Sequence, residues 1–216
     1  MATMLPPTTT FDDLPDPLTA DMLVFRARGR DRAVYDIRAF PQFLAKIVHQ
    51  DSASVRKVFA HEAEFLARRS SDALPIARVL GHRATALGRA RIDERIMQAD
   101  HSLAPSISKL LHEGSFNDTH LAAINRFVRD AIEGHIPLSD FDLRNLVYGY
   151  RAGEPEPRIF VVDGYGDKTF IQIKLWWRWA NTPHILRKFG RLPKGCAIRW
   201  DRRARRYEWV ADPVAG

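Results

Sequence analysis

The sequence has very little cysteine and no long apolar run. Cys196 is the only cysteine, which excludes an internal disulfide and any cysteine-rich zinc site. No stretch of about 18 or more apolar residues occurs, so the sequence predicts no transmembrane helix. The first residues, MATMLPPTTTFDDLPDP, lack the basic segment and the apolar core of a secretory signal. We therefore expect a cytoplasmic protein with no membrane span.

The body of the chain also has little net charge. The whole sequence carries +7, and the last 34 residues, with nine Lys or Arg against three Asp or Glu, account for +6 of it. A basic end can attract the phosphates of nucleic acid or lipid, but a solvated surface is the commoner explanation. No known nucleic-acid-binding motif occurs, so we do not expect a nucleic-acid partner.

The order of predicted elements favours an α+β fold. Residues 1–20 are rich in Pro and Thr and predict a disordered arm. A sheet-rich lobe is expected over 21–100 and a smaller lobe over 101–216. Strands are predicted at 22–26, 33–37, 43–48, 76–80, 92–97, 136–138, 146–148 and 159–162, with a hairpin at 197–200 and 207–210. Helices are predicted at 52–69, 118–133 and 176–191.

The predicted helix 52–69 carries a carboxylate on its apolar face. Glu62 comes four residues after Val58 and three before Phe65, so all three fall on one stripe. An unpaired buried charge is costly. Glu62 therefore either pairs with a cation or lies at the edge of the stripe and reaches water, and the spacing alone leaves both open.

Two short segments carry the strongest chemical pattern. Asp140 and Asn145 are five residues apart in a loop between two short strands, the spacing of the aspartate and asparagine in a kinase catalytic loop. Asp163 ends an apolar strand and is followed by Gly164. Phosphoryl transfer from ATP needs an oriented acceptor and Mg²⁺ held by hard oxygen ligands. Asp140 would orient or deprotonate the acceptor, and Asn145 and Asp163 would hold the metal.

Three upstream residues fit the same chemistry. Gly29 lies in the turn between the first two predicted strands, where a loop that covers phosphates would be. Lys46 is on the third strand, and Glu62 is on the next helix at the position expected to pair with it. Without the other residues, Lys46 would be interpreted as an exposed lysine on a strand.

In these segments the sequence resembles the PhoP regulatory network protein YrbL family, which implies a kinase-like fold in a bacterial cytoplasmic protein linked to a regulatory network. The resemblance covers roughly residues 22 to 192, in an order and spacing that are hard to obtain otherwise. Its segments are 29–35, 45–48, Glu62 with its helix, 96–100, 140–145, 161–163 and 176–179.

Several departures from the kinase pattern limit this expectation. Leu138 and Ser139 replace the usual His-Arg before the catalytic aspartate, Asp163-Gly164-Tyr165 replaces D-F-G, and one glycine remains in the phosphate loop. Only 53 residues follow Asp163, and no A-P-E occurs. We therefore expect a small two-lobed kinase-like fold with a truncated C-terminal lobe, and not an ordinary protein-substrate kinase.

Three functions stay open on this sequence. The first is an ATP- and Mg²⁺-dependent phosphotransferase of unknown acceptor, favoured because all five polar positions are filled. The second is a catalytically inactive, pseudokinase-like regulator that binds nucleotide or a regulatory protein partner. The third, rated lowest, is a basic nucleic-acid-binding protein that uses residues 199–206. No G-x-S-x-G and no H-E-x-x-H occurs, which argues against a hydrolase.

Overall fold

A computed structural model describes most of the chain. The described residues are 10–29, 31–49, 74–134, 136, 138, 141–164, 178–192 and 196–210. The chain divides into two compact units, the first formed by Met1–Val55 with Ala77–Arg95 and the second by Arg56–Ile76 with Ile96–Gly216. Mixed helices and strands in these units confirm the predicted α+β class.

The first unit is built on a five-stranded antiparallel sheet. Its order is β1-β2-β3-β5-β4, so β3 lies in the centre. The strands are β1 Leu23–Arg28, β2 Arg32–Ile37, β3 Phe43–Val48, β4 Val79–Thr85 and β5 Gly88–Glu94, preceded by 3₁₀ turns at Phe11–Asp13 and Ala20–Met22.

Alternation along the two central strands gives the sheet one apolar and one charged face. Ala45 and Ile47 on β3, with Ala90 and Ile92 on β5, point into a core that also contains Leu14, Leu18, Ile37 and Phe43. Successive side chains on a strand point to opposite sides. Lys46, Arg91 and Asp93 therefore share the other face.

The predicted strand ends were correct where apolar residues dominate the strand, and they were displaced elsewhere. Strand β3 matches the prediction residue for residue. The predicted strand 76–80 is displaced from β4, and 92–97 is displaced from β5. Both errors have the same cause, because the paired ends of β4 and β5 are rich in Arg and Gly and carry little apolar signal.

In its described residues, the second unit combines three helices with two hairpins. The helices are α1 Ile107–His112, α2 Asp118–Glu133 and α3 Arg178–Phe189, and a 3₁₀ turn spans Leu143–Asn145. One hairpin pairs β6 Leu146–Gly149 with β7 Arg158–Val161, and the other pairs β8 Ile198–Asp201 with β9 Arg206–Trp209. Helix α2 packs against β7 and β9, so the core of this unit lies between the helix and the hairpins.

Helix α2 forms where the sequence predicted it. Ile124, Phe127, Val128 and Ala131 make a buried stripe at helical spacing. The Asn117 side chain accepts hydrogen bonds from the backbone N–H groups of residues 119 and 120, which caps the start of the helix. Helix α1 was not predicted, because six residues are too few for a recognisable period, although Ser106 caps it.

Two further predictions concern helices. Helix 52–69 lies outside the described residues. No helix in the described part of the chain is long and apolar enough to cross a membrane.

Candidate functional site

Lys46 lies in the middle of the central strand of the sheet in the first unit. Its register partners are Val34 on β2 and Arg91 on β5. The side chain is 7% exposed, and its Nζ lies 2.7 Å from Oδ2 of Asp93. Lys46 is therefore a buried, ion-paired lysine, and not the exposed strand lysine of the alternative interpretation.

Asp93 joins two cations on the charged face of the sheet. Its carboxylate accepts two hydrogen bonds from Arg91, from Nε to Oδ1 at 2.8 Å and from an Nη to Oδ2 at 2.7 Å. Burial acts to raise the pKa of Asp93, but the charges and hydrogen bonds of Arg91 and Lys46 outweigh it and lower the pKa below its ordinary value. Asp93 is therefore ionised at neutral pH, and it fixes the position of the lysine ammonium group.

Arg91 and Asp93 were not predicted as site residues. The signal that could have found them is the alternation of charged and apolar residues from Arg89 to Asp93, in which Ala90 and Ile92 take the apolar positions. Such alternation is typical of a strand with one buried face. The alternation puts Arg91 and Asp93 on one face of the strand, but it does not show which strand lies beside them.

Gly29 lies in the tight turn between β1 and β2. Its N–H donates to the Arg32 carbonyl at 2.8 Å, and its own carbonyl lies 3.3 Å from Nε2 of His49. A Cβ at this position would lie 3.2 Å from the Arg32 oxygen, which is a tight contact. The turn is therefore held by its own backbone, and its one glycine stands where the sequence predicted it.

Asn145 is positioned by the 3₁₀ turn that precedes β6. Asp142 caps this turn, because its Oδ1 accepts the backbone N–H of Arg144 at 2.8 Å. The Arg144 side chain also donates to the same carboxylate. The side-chain hydrogen bond from Arg144 is the main cause that lowers the pKa of Asp142. Asp142 is thus occupied in shaping the loop that carries Asn145.

The hairpin β6–β7 brings Asn145 and Asp163 to the same end of one element. Leu146 pairs with Val161, and the Val162 N–H donates to the Asn145 carbonyl at 2.9 Å. Asp163 follows directly and is half-buried. Two predicted metal ligands that are eighteen residues apart in sequence therefore lie at the ends of neighbouring strands.

Asp163 also shapes its own turn. Its Oδ1 accepts the backbone N–H of Gly164 at 2.8 Å. Gly164 has φ +77°, a left-handed conformation that favours glycine. The Asp163–Gly164 pair therefore forms a bend directly after the strand.

The described residues do not include the complete predicted site. Asp140 and Glu62 lie outside them. Gly29 and Lys46 belong to the first unit, and Asn145 and Asp163 belong to the second. Within the described ranges, no group of three or more His, Cys, Asp or Glu is placed to hold a metal ion. The amide oxygen of Asn145 and the carboxylate of Asp163 are nevertheless the hard ligand types that Mg²⁺ prefers.

A family model, described as PhoP regulatory network protein YrbL, matches residues 18–197. The chain belongs to the YrbL family. The match spans Gly29, Lys46, Asn145 and Asp163, so each of these positions lies inside the YrbL-family region. No curated protein matched the chain.

Proposed function

We propose that this YrbL-family chain is a two-lobed, kinase-like protein that binds ATP and Mg²⁺ and acts as a phosphotransferase on an unidentified acceptor in the bacterial cytoplasm. The observation that carries the proposal is the buried Lys46 on the central third strand of a sheet that begins with the Gly29 hairpin. Protein kinases place a phosphate-binding lysine on their third strand, behind a hairpin whose loop covers the phosphates.

The second support is the end of hairpin β6–β7. Kinases hold Mg²⁺ with an asparagine of the catalytic loop and with an aspartate further along the chain. Asn145 and Asp163 have this order, and the pairing of β6 with β7 places them at neighbouring strand ends. Bound ATP and Mg²⁺ would supply the transferable phosphoryl group and neutralise its charge.

Each residue has a separate task in this proposal. Asn145 and Asp163 would hold the metal, and Asp140 would orient or deprotonate the acceptor hydroxyl. Lys46 would hold the nucleotide phosphates, with Gly29 in the loop above them and Glu62 as a partner of the lysine. Asp93 keeps the lysine ammonium in place through the 2.7 Å ion pair, which reduces the entropy that Lys46 loses when it binds an anion.

The same ion pair also supports a second function. In active kinases the strand lysine pairs with a glutamate on a helix. Lys46 also has a 2.7 Å partner on the neighbouring strand, Asp93, and this pair needs no helix. A lysine held by a strand carboxylate favours a structural role. The second candidate is therefore a catalytically inactive regulator that binds a protein partner, with or without nucleotide.

Calorimetric titration of ATP, with and without Mg²⁺, tests the first function. We expect binding that needs Mg²⁺, a loss of about tenfold or more in Asp163→Asn, and a similar loss in Lys46→Met. Asp201→Asn is a matched control for the first variant, because Asp201 also accepts backbone N–H groups in the turn that follows a strand. Lys109→Met is the control for the second, because Lys109 is an exposed lysine.

The outcomes separate the candidate functions. Mg²⁺-dependent binding with release of phosphate or labelling of an acceptor supports the phosphotransferase. Binding without any turnover supports the inactive regulator. If the folded wild-type chain binds no ATP at all, the proposal that it has a nucleotide-binding site is wrong.

A further inference from the structure

The β8–β9 hairpin is anchored firmly on the second unit by its inner face. The backbone N–H of Tyr207 donates to the Asn125 side chain at 2.6 Å, and Asn125 donates back to the Tyr207 carbonyl at 2.9 Å. The Tyr207 hydroxyl donates to the Phe189 carbonyl at 2.9 Å, and Nε1 of Trp209 donates to Asp118 at 2.7 Å. The hairpin is thus a rigid platform whose position is set by α2 and α3.

Both acidic side chains of the hairpin are committed to local contacts. Glu208, on the outer face, pairs with Arg206 at 2.9 Å and with Arg199 at 3.7 Å. Asp201 holds the turn, because its Oδ1 accepts the N–H groups of residues 203 and 204 at 2.7 and 3.0 Å. Neither carboxylate forms an ion pair with an arginine of the turn itself.

Three arginines stand on that turn, which we call the basic turn and define as residues 202–205. The side chains of Arg202, Arg203 and Arg205 are exposed, and within the described ranges none of the three has an ion pair or a side-chain hydrogen bond. Arg205 has φ +52°, so the turn presents its side chain from a left-handed position. The basic turn therefore concentrates three uncompensated charges on four residues of a rigid element.

An open cavity of about 280 Å³ lies beside the basic turn. Pockets for small-molecule ligands usually have about 300–1,000 Å³, so this cavity suits a single side chain better than a whole nucleotide. Its walls are mixed, with apolar groups next to two arginines: Leu192, Ile198, Trp200, Val210, Arg199 and Arg202. This combination suits an apolar side chain with negative charges next to it.

We propose that the basic turn and this cavity bind an acidic segment of a partner protein. An apolar side chain of the segment occupies the cavity, and flanking Asp or Glu carboxylates pair with the three arginines. Arginine is suited to this task, because its planar guanidinium binds carboxylates through two parallel hydrogen bonds. The inference goes beyond nucleotide binding and does not depend on it.

The geometry favours a protein segment over nucleic acid or membrane. Single-stranded nucleic acid is bound by stacking on aromatic rings, but the rings of the hairpin already have partners. Tyr207 and Trp200 pack against Phe189, and Trp209 packs edge-on against Phe116 while its Nε1 donates to Asp118. Membrane binding needs an apolar surface that inserts between the lipids, whereas the apolar groups beside the basic turn line a cavity, and the turn itself contains only Ala204 besides its arginines.

Fluorescence anisotropy with the full chain tests this site. The probe is a labelled twelve-residue peptide with one central leucine among Asp and Glu residues, and the comparison peptide replaces every Asp by Asn and every Glu by Gln. The test variant is Arg202→Gln, Arg203→Gln and Arg205→Gln combined. The control variant, Arg28→Gln, Arg38→Gln and Arg89→Gln combined, removes the same charge from three exposed arginines elsewhere.

We expect the wild type and the control variant to bind the acidic peptide with similar affinity. The test variant should bind about tenfold more weakly, because it loses three exposed charge pairs with the peptide. Its melting temperature should stay unchanged, since in the described part of the chain the three side chains make no ion pair or hydrogen bond that could be lost. Bound peptide should also slow alkylation of Cys196, which lines the cavity and is the only thiol.

Four outcomes would overturn the proposal. They are no binding of the acidic peptide, equal loss in the test and control variants, unchanged alkylation of Cys196 in the complex, and stronger binding to a DNA duplex or to anionic vesicles than to the peptide. Failure to bind ATP has no bearing on any of these readouts.

Discussion

Two carboxylates in this chain each lie between two cations on antiparallel strands, one in the interior and one on the surface. The Asp93 side chain is 2% exposed, and Lys46 and Arg91 both lie 2.7 Å away. The Glu208 side chain is 27% exposed, and its two arginine partners, at 2.9 and 3.7 Å, are more than 60% exposed. The composition of the two clusters is nearly the same, so burial decides the difference between them.

Exposure to water determines how strongly the charges of such a cluster interact. An exposed ion pair contributes about 0.2–1 kcal/mol and is screened by salt. A buried charge loses its hydration, at an effective cost of several kcal/mol that only well-placed partners offset. The cluster at Glu208 is therefore an adaptable surface, whereas the cluster at Asp93 holds its three side chains in one arrangement. This difference is what we expect if Lys46 has a fixed position for a functional reason.

The largest expected effect comes from removing the buried anion. Asp93→Asn removes the buried carboxylate that Lys46 and Arg91 share, and we expect the free energy of unfolding to fall by about 3–5 kcal/mol. Urea denaturation followed by circular dichroism measures this change. Asp36→Asn is the matched control, because Asp36 also pairs with two arginines but is 21% exposed. A cost below about 1 kcal/mol for Asp93→Asn would show that the two clusters are energetically alike.

The sequence predicted elements well where their own residues carry the signal. Strand β3 and helix α2 have the predicted bounds, because a short apolar run and a capped amphipathic stripe are local patterns. Helix α1 is too short for such a pattern. The bounds of β4 and β5 were wrong, since these strands are fixed by pairing partners and not by their own hydrophobicity.

The residue types of the candidate site could be predicted from the sequence, but the contacts that these residues make could not. The two short strands beside Asn145 and Asp163 were predicted, but their pairing as the hairpin of β6 and β7 was not. The pairing of Lys46 with Asp93 was not predictable, because it depends on the register between two strands that are more than forty residues apart in sequence. Long-range register leaves almost no local trace when the paired residues are charged.

Acid should weaken the buried cluster in a defined pH window. The folded-state pKa of Asp93 is lower than its ordinary value, since the charges of Arg91 and Lys46 outweigh the effect of burial. The unfolded chain therefore takes up the proton first, at a pKa of about 3.9. The contribution of Asp93 is complete above that pH and is lost as the pH falls through the lower folded-state value.

Denaturation series at pH 5, 4 and 3 measure this dependence. Other carboxylates also have lowered pKa values, such as Asp142 and Asp201, and their protonation also destabilises the fold in acid. Measurements on the wild type alone therefore do not isolate the contribution of Asp93. We expect the unfolding free energy of the wild type to fall more steeply below about pH 4 than that of Asp93→Asn. Parallel slopes for the two proteins would mean that the folded-state pKa of Asp93 is not lowered.

The smallest effect is expected on the surface. Glu208→Gln removes the anion between Arg199 and Arg206 but keeps the shape of the side chain, and we expect a loss of at most about 1 kcal/mol at low salt. Because the Debye length falls to about 3 Å at 1 M salt, the difference from the wild type should vanish there. The cost of Asp93→Asn should persist at the same salt concentration, since its partners are shielded from the solution. If salt instead reduces both costs equally, the interior cluster is open to water, and the argument that Asp93 holds Lys46 in a fixed position fails.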